Sequence, residues 1–395
     1  MQKREDFALA SLLLPIIYLA FISLGLPDAV LGAAWPIMCS EFSVPISYAG
    51  IVSVTISAGT IISSLMSDRL TRRFGTARVT AVSVALTACA LLGFSLCGNF
   101  WLLLLWAIPY GLGAGSVDAS INNYVALHYA SRHMSWLHCM WGVGASTGPY
   151  IMGYALSGGQ GWEMGYRYIA VLQASLTAVL LLSVPLWKKR EPDTAAKNGT
   201  VAHALSLKEI FAIPGAREVL LAFFCYCALE GTAMLWSGTY LVRHAGMDEE
   251  RAASLASMVF LGITAGRGLS GFMTYKFNDT NMIRIGQAVI LAGVAVLLLP
   301  LGELASLVGL LLVGLGCAPI YPSVIHSTPA HFGEENSQAI IGVQMASAYL
   351  GSLLAPPVFG LIANHISASL LPLYLGIILI VMVLSAEQLN LKCRK

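Results

Sequence analysis

Asp118, Asn122 and Asn123 stand inside one of the most apolar stretches of the chain, "YGLGAGSVDASINNYVALHYA" at residues 110 to 130. At helical periodicity Gly111, Gly115, Asp118 and Asn122 share one face, at steps of four, three and four. Small residues there let a neighbouring helix pack closely, while the carboxyl and the amide point into the interior of a bundle. A carboxylate within a membrane costs at least ~2.5 kcal/mol on insertion scales, so one that is kept faces a cavity and serves a function. Low dielectric disfavours its charged form. A group so placed can take up and release a proton, and neutralising it removes an electrostatic barrier to reorienting the surrounding helices. Asp28 in "GLPDAVLGAAWP" and Glu230 in "CALEGTAMLW" are further acidic residues in apolar surroundings. The expected proton-coupling residues are therefore Asp118 first, then Asp28 and Glu230.

The elements that must hold these groups are membrane helices. Hydrophobic residues make up 57% of the chain and charged residues only 11%, which places it outside the soluble globular range. About 20 mostly apolar residues span a bilayer. Twelve such runs occur, near 7–35, 45–67, 77–97, 99–127, 135–156, 165–187, 217–242, 252–275, 281–300, 303–327, 337–364 and 368–387. The first is too long, and too polar at Asp28, for a cleaved signal peptide. Lys and Arg accumulate in cytoplasmic loops. With the N-terminus inside, all of the 22 basic residues except Arg167, Arg243 and Arg251 fall on the cytoplasmic side, Arg267 among them. Both termini are then cytoplasmic, in the cytoplasmic (plasma) membrane. The net charge of +2 points to no nucleic acid. The eight cysteines include no CxxC pair and read as small apolar core residues, with neither a disulfide frame nor a metal site.

One long hydrophilic connection, residues 188–216, divides the chain into an N-terminal six-helix bundle, 1–187, and a C-terminal one, 217–395. The two halves resemble each other. "GTIISSLMSDRLTRRFG" aligns with "GRGLSGFMTYKFND", pairing Gly59 with Gly266, Ser64 with Gly271, Met66 with Met273 and Arg69 with Lys276. At a similar offset "GLGAGSVDAS" matches "GLGCAPIYPS", and Gly148-Pro149 matches Ala355-Pro356. Duplicated halves imply an all-α membrane protein of 12 transmembrane helices in two pseudo-symmetric six-helix bundles. Such repeats hold a substrate near the bilayer midplane and rock against each other.

"SDRLTRRFG" resembles the signature between the second and third helices of the major facilitator superfamily, and this resemblance covers essentially the whole chain. It implies a cytoplasmic latch of Asp68, Arg69, Arg72 and Arg73, closed by Gly75, although Ser64 stands where a glycine is usual. Paired charges of this kind stabilise one state of a carrier and separate in the other. Within the superfamily, Asp118 followed by Asn122, "YPSVIHSTP", Glu230 with Trp236, and Asp28 in the first helix are similar to the fucose and glucose permease branch. That similarity implies alternating-access symport of a sugar, coupled to protons.

Sugars are bound by amide and carboxylate hydrogen bonds together with flat aromatic faces. The expected substrate-binding residues are Asn122, Asn123, His138, Trp141, Glu230, Trp236, Tyr321, Gln344 and Tyr349. Trp101, Trp162 and Trp187 lie near run ends and are expected in the interfacial belt. "GVGASTGPYIMG" is similar to an element of drug:proton antiporters, which makes proton-coupled efflux of a drug or metabolite the alternative. An enzyme is not expected: "GLGAGS" follows no strand and precedes no GK[ST] sequence, so it is no phosphate loop. Coupling then comes from an ion gradient, H+ or alternatively Na+, with no cofactor. The expected partners are the solute and the lipid bilayer, and a carrier of this kind can work as a monomer.

Overall fold

The computed structural model describes residues 12–188, 204–300 and 302–393. The expected linker falls largely on residues 189–203 and so lies outside the described residues, as do Lys3, Arg4, Lys189, Arg190, Lys197, Arg394 and Lys395. Among the described residues every regular element is a helix. In the first half these are α1 (Leu13–Gly25), α2 (Val30–Glu41), α3 (Tyr48–Phe74), α4 (Thr76–Phe94), α5 (Phe100–His128), α6 (Ser131–Ser157) and α7 (Gly161–Lys188). The second half contains α8 (Leu207–Ala212), α9 (Ala216–Ala245), α10 (Glu249–Met273), α11 (Asp279–Leu297), α12 (Glu303–His326), α13 (Thr328–Phe332), α14 (Glu334–Ile362) and α15 (Leu371–Lys392). Twelve of the expected runs are matched, α1 and α2 together forming the first. The chain is an all-α membrane protein of two pseudo-symmetric halves.

Three expectations need correction. The first run is two helices, because Pro27 has no N–H to give the Ser23 carbonyl and the ladder stops there. That freed carbonyl accepts the Gln173 side-chain amide at 2.6 Å, so the break leaves Ser23 satisfied. Second, the charged motif after the second run is helical, since α3 continues to Phe74. It ends at Gly75, whose φ of 79° belongs to the region that favours glycine. Third, Trp162 and Trp187 are each only 1% exposed. Their indole N–H groups donate to Glu41 Oε2 at 2.6 Å and to Ser183 Oγ at 3.2 Å, so these rings are packed anchors of α7. Trp101, by contrast, is 70% exposed, as an edge residue should be.

Without a hydrophobic drive between helices in lipid, close approach at small residues supplies the packing. The two halves use the same seam. In the first, a Cβ on Gly111 or Gly115 of α5 would overlap the carbonyl oxygens of Ile56 and Thr60 on α3. In the second, a Cβ on Gly314 of α12 would overlap the Val259 carbonyl of α10, while one on Gly262 would meet Leu311 O at 2.7 Å. Neither backbone can retreat without opening its seam. Gly115→Val and Gly314→Val are each expected to destabilise the fold by about 3 kcal/mol or more, read as loss of monodisperse protein in size-exclusion profiles.

The described residues form two compact units. One contains the chain through Tyr124 and Met140–Leu205, the other Val125–Cys139 with the chain from Ser206 onward. Val125–Cys139 precedes the linker in sequence yet packs within the second unit. Gly271 of α10 is the physical reason: it leaves room for the Trp136 indole, which also meets Phe272 edge-on at 5.6 Å.

Candidate transport site

In the first unit two carboxylates are held in different ways. Asp28 sits in the break between α1 and α2 and is exposed. Its Oδ2 accepts the Trp141 indole N–H at 2.9 Å, and its Oδ1 accepts the Tyr110 hydroxyl at 3.4 Å. The helix break thus turns a carboxyl outward while α5 and α6 aim two aromatic donors at it. Asp118 is 4% exposed and Asn122 is fully buried. The Asn122 amide donates both to Asp118 Oδ1 at 2.8 Å and to its backbone carbonyl at 3.0 Å. Four-residue spacing therefore makes an intrahelical acid–amide pair. Tyr110 and Asp118 lie eight positions apart on α5, roughly 12 Å of rise.

In the second unit Glu230 of α9 meets a partner that the sequence reading placed elsewhere. Arg267 of α10, counted above among the cytoplasmic charges, is 3% exposed and its Nη2 donates to Glu230 Oε1 at 3.1 Å. The lone arginine in "GITAGRGLSG" is therefore a buried intramembrane cation. The signal that could have found it is its position eight residues inside the apolar run 252–275. The guanidinium lies 6.0 Å from the Tyr321 ring centre, a cation–π arrangement. Tyr321 also packs on His138 at 4.5 Å and on Tyr226 at 5.8 Å, and its hydroxyl donates to Met345 Sδ at 3.3 Å. Tyr110 and Tyr226 are further residues that the sequence did not single out, since tyrosines among apolar neighbours read as core.

The structure gathers Asp28 with Trp141, Asp118 with Asn122, and Glu230 with His138 and Tyr321. Asn123 is 7% exposed on the next position of α5. Trp236 is a helix tie: its indole N–H donates to the Pro356 carbonyl of α14 at 2.8 Å. Gln344 is fully buried, accepting from the Thr328 hydroxyl at 3.1 Å. Tyr349 is half-buried on α14. In the motif at the end of α3, Asp68 is 5% exposed and accepts Arg72 Nε at 2.8 Å within the same helix, while its Oδ2 is buried without a hydrogen-bond partner. Thr71 and Ser120 meet at 2.9 Å and join α3 to α5 beside it.

A bundle of apolar helices that encloses acid–amide, acid–indole and acid–guanidinium groups can carry a polar solute and a proton, which is how transporters are built. Among proteins of known sequence, an uncharacterized transporter of Sinorhizobium fredii, y4wD, is 26% identical over 83% of this chain and 85% of its own length. The 3-(3-hydroxy-phenyl)propionate transporter of Escherichia coli is 25% identical over 76% of this chain and 74% of its length. Among solved structures, FucP in the outward conformation superposes with a TM-score of 0.73 at 16% identity, over 95% of this chain and 99% of that one. The fold is thus that of a fucose permease. The model of the Major Facilitator Superfamily matches residues 17–356. This chain, an integral membrane protein built to move small solutes, belongs to the Major Facilitator Superfamily.

Proposed function

We propose that the chain is a proton-coupled sugar symporter of the plasma membrane, with both termini cytoplasmic, and not an enzyme. The observation that carries this reading is Asp28. An exposed carboxylate with an indole beside it offers a sugar both a hydrogen-bond acceptor and an apolar face. Asp118, buried on α5 with Asn122, supplies a separate carboxyl for the proton, so binding and coupling need not share one group. Glu230 balances the charge of Arg267, which leaves the second unit suited to a neutral solute. FucP, described as a fucose:proton symporter of E. coli, supports the same assignment. Asp68, Arg69, Arg72 and Arg73 serve as the cytoplasmic latch.

The test is uptake of a panel of radiolabelled hexoses into proteoliposomes with an imposed inward proton gradient. Accumulation of one hexose above that in protein-free liposomes supports symport. No hexose uptake, with proton-driven movement of lipophilic cations instead, would establish the competing efflux reading. A multidrug pocket should be adaptable and Met-rich, whereas Asp28 is held by the two directed donors of Trp141 and Tyr110. In the same assay Trp141→Phe keeps the ring and deletes the donor. It is expected to raise KM by about tenfold or more while kcat is largely retained, the effect of losing a hydrogen bond to a charged group.

A further inference from the structure

His326 closes α12, and both nitrogens of its ring face groups that accept. Nδ1 lies 2.6 Å from Asp279 Oδ2, at the first position of α11, and Nε2 lies 3.1 Å from the Tyr129 carbonyl, just past α5. The Ser131 hydroxyl, at the start of α6, donates to the other Asp279 oxygen at 2.5 Å. A neutral imidazole has one N–H and cannot donate to two acceptors. The observed geometry therefore needs one proton more than a carboxylate plus a neutral imidazole. A doubly protonated ring supplies both donors, Nδ1–H to Asp279 Oδ2 and Nε2–H to the Tyr129 carbonyl. Helix ends favour this arrangement, with the cation at the C-terminus of α12 and the anion at the N-terminus of α11.

We propose that Asp279 and His326 form a proton-binding site of their own, distinct from Asp118, Asp28 and Glu230, and that the bound proton latches the α5–α6 corner to α11 and α12. When the proton leaves to solvent, the ring keeps one hydrogen and must release either Asp279 or Tyr129. Other titratable groups surround the pair. From α13, His331 faces Asp279, and burial holds its imidazole below the usual range against the opposing pull of that carboxylate. From α6, His133 packs edge-on against the Tyr129 ring at 5.7 Å, and Arg132 lies 5.3 Å over the Tyr275 ring. His326 joins α12 to α11 and to the α5–α6 corner through hydrogen bonds. The inference goes beyond the transport reading and uses it only for a consequence: acidity on the side bearing this corner holds it closed.

Hydrogen–deuterium exchange of the full chain in nanodiscs, without any solute, tests the latch between about pH 5.5 and about pH 8.5, the range in which histidine pairs titrate. After correction for intrinsic exchange, amides of residues 126–134 are expected to exchange about tenfold faster or more at the high end, as a charge-assisted hydrogen bond is lost. His326→Gln and Asp279→Asn should each remove that pH response. A wild type with no response, or a His326→Gln variant with the wild-type response, would overturn the proposal. Should both variants fail to fold, nitrogen NMR of histidine-labelled wild type decides the matter. One imidazole that stays doubly protonated near neutral pH supports the site, and its absence refutes it. No sugar enters these measurements, so a failed latch leaves symport standing and failed hexose uptake leaves the latch standing.

Discussion

Asp118→Asn is expected to reduce gradient-driven hexose accumulation to the level of protein-free liposomes while leaving solute exchange across the membrane at equal pH close to wild type. The substitution preserves shape, and its side-chain oxygen can still accept the Asn122 amide, so the α5 pair and the fold survive. What it removes is the ability to bind and release a proton. Accumulation requires that proton; counterflow of labelled against unlabelled solute does not. Asp28→Asn separates the roles, because a residue that contacts the solute should weaken exchange as well. If Asp118→Asn accumulates hexose with a wild-type response to the gradient, Asp118 is not the coupling group. If it loses counterflow too, the residue belongs to binding instead.

Arg267→Met is expected to destabilise the second unit by about 3–5 kcal/mol, because it strands the Glu230 charge in a largely buried site. The two side chains are only 4% and 15% exposed, so little solvent screens the loss. Removing both charges is a different matter. Arg267→Met combined with Glu230→Gln should recover most of the stability, since a buried pair and an apolar replacement of similar volume differ little. Apparent Tm in detergent reads the contrast: a fall of roughly 10 °C for the single variant, in line with about 2–4 °C per kcal/mol, and a small change for the double. Equal falls for both would show that Arg267 acts through its packing on Tyr321 and not through its charge.

The architecture was legible in the sequence because lipid imposes one rule on every span, about 20 apolar residues with internally satisfied backbones. The pairing of Asp118 with Asn122 was legible for a similar reason, since residues four apart on a helix must meet. Arg267 was not. Counting cations by side assigns every Lys and Arg to a loop and so overrode the position of this one inside an apolar run; that Glu230 of α9 is its partner is seen in the folded chain alone. Trp162 and Trp187 misled in a related manner: distance from a run end is a one-dimensional cue, whereas Glu41, which satisfies the Trp162 indole, is a neighbour of the folded chain alone, and Ser183, which satisfies Trp187, was readable only from the four-residue spacing on α7. The break at Pro27 could be read from the missing N–H, but not that Gln173, from a distant helix, would take the Ser23 carbonyl.

That break also bears on the lipid. Leu13–Glu41 comprises 29 residues, and a straight helix of that length would measure about 44 Å against a hydrocarbon core of ~30 Å. A continuous rod would have to tilt steeply or thicken the surrounding bilayer. Divided at residues 26–29, the span can absorb that hydrophobic mismatch by changing the angle between α1 and α2, so differences in membrane thickness fall on a joint whose polar groups are already satisfied, and not on the buried pairs of α5 and α10.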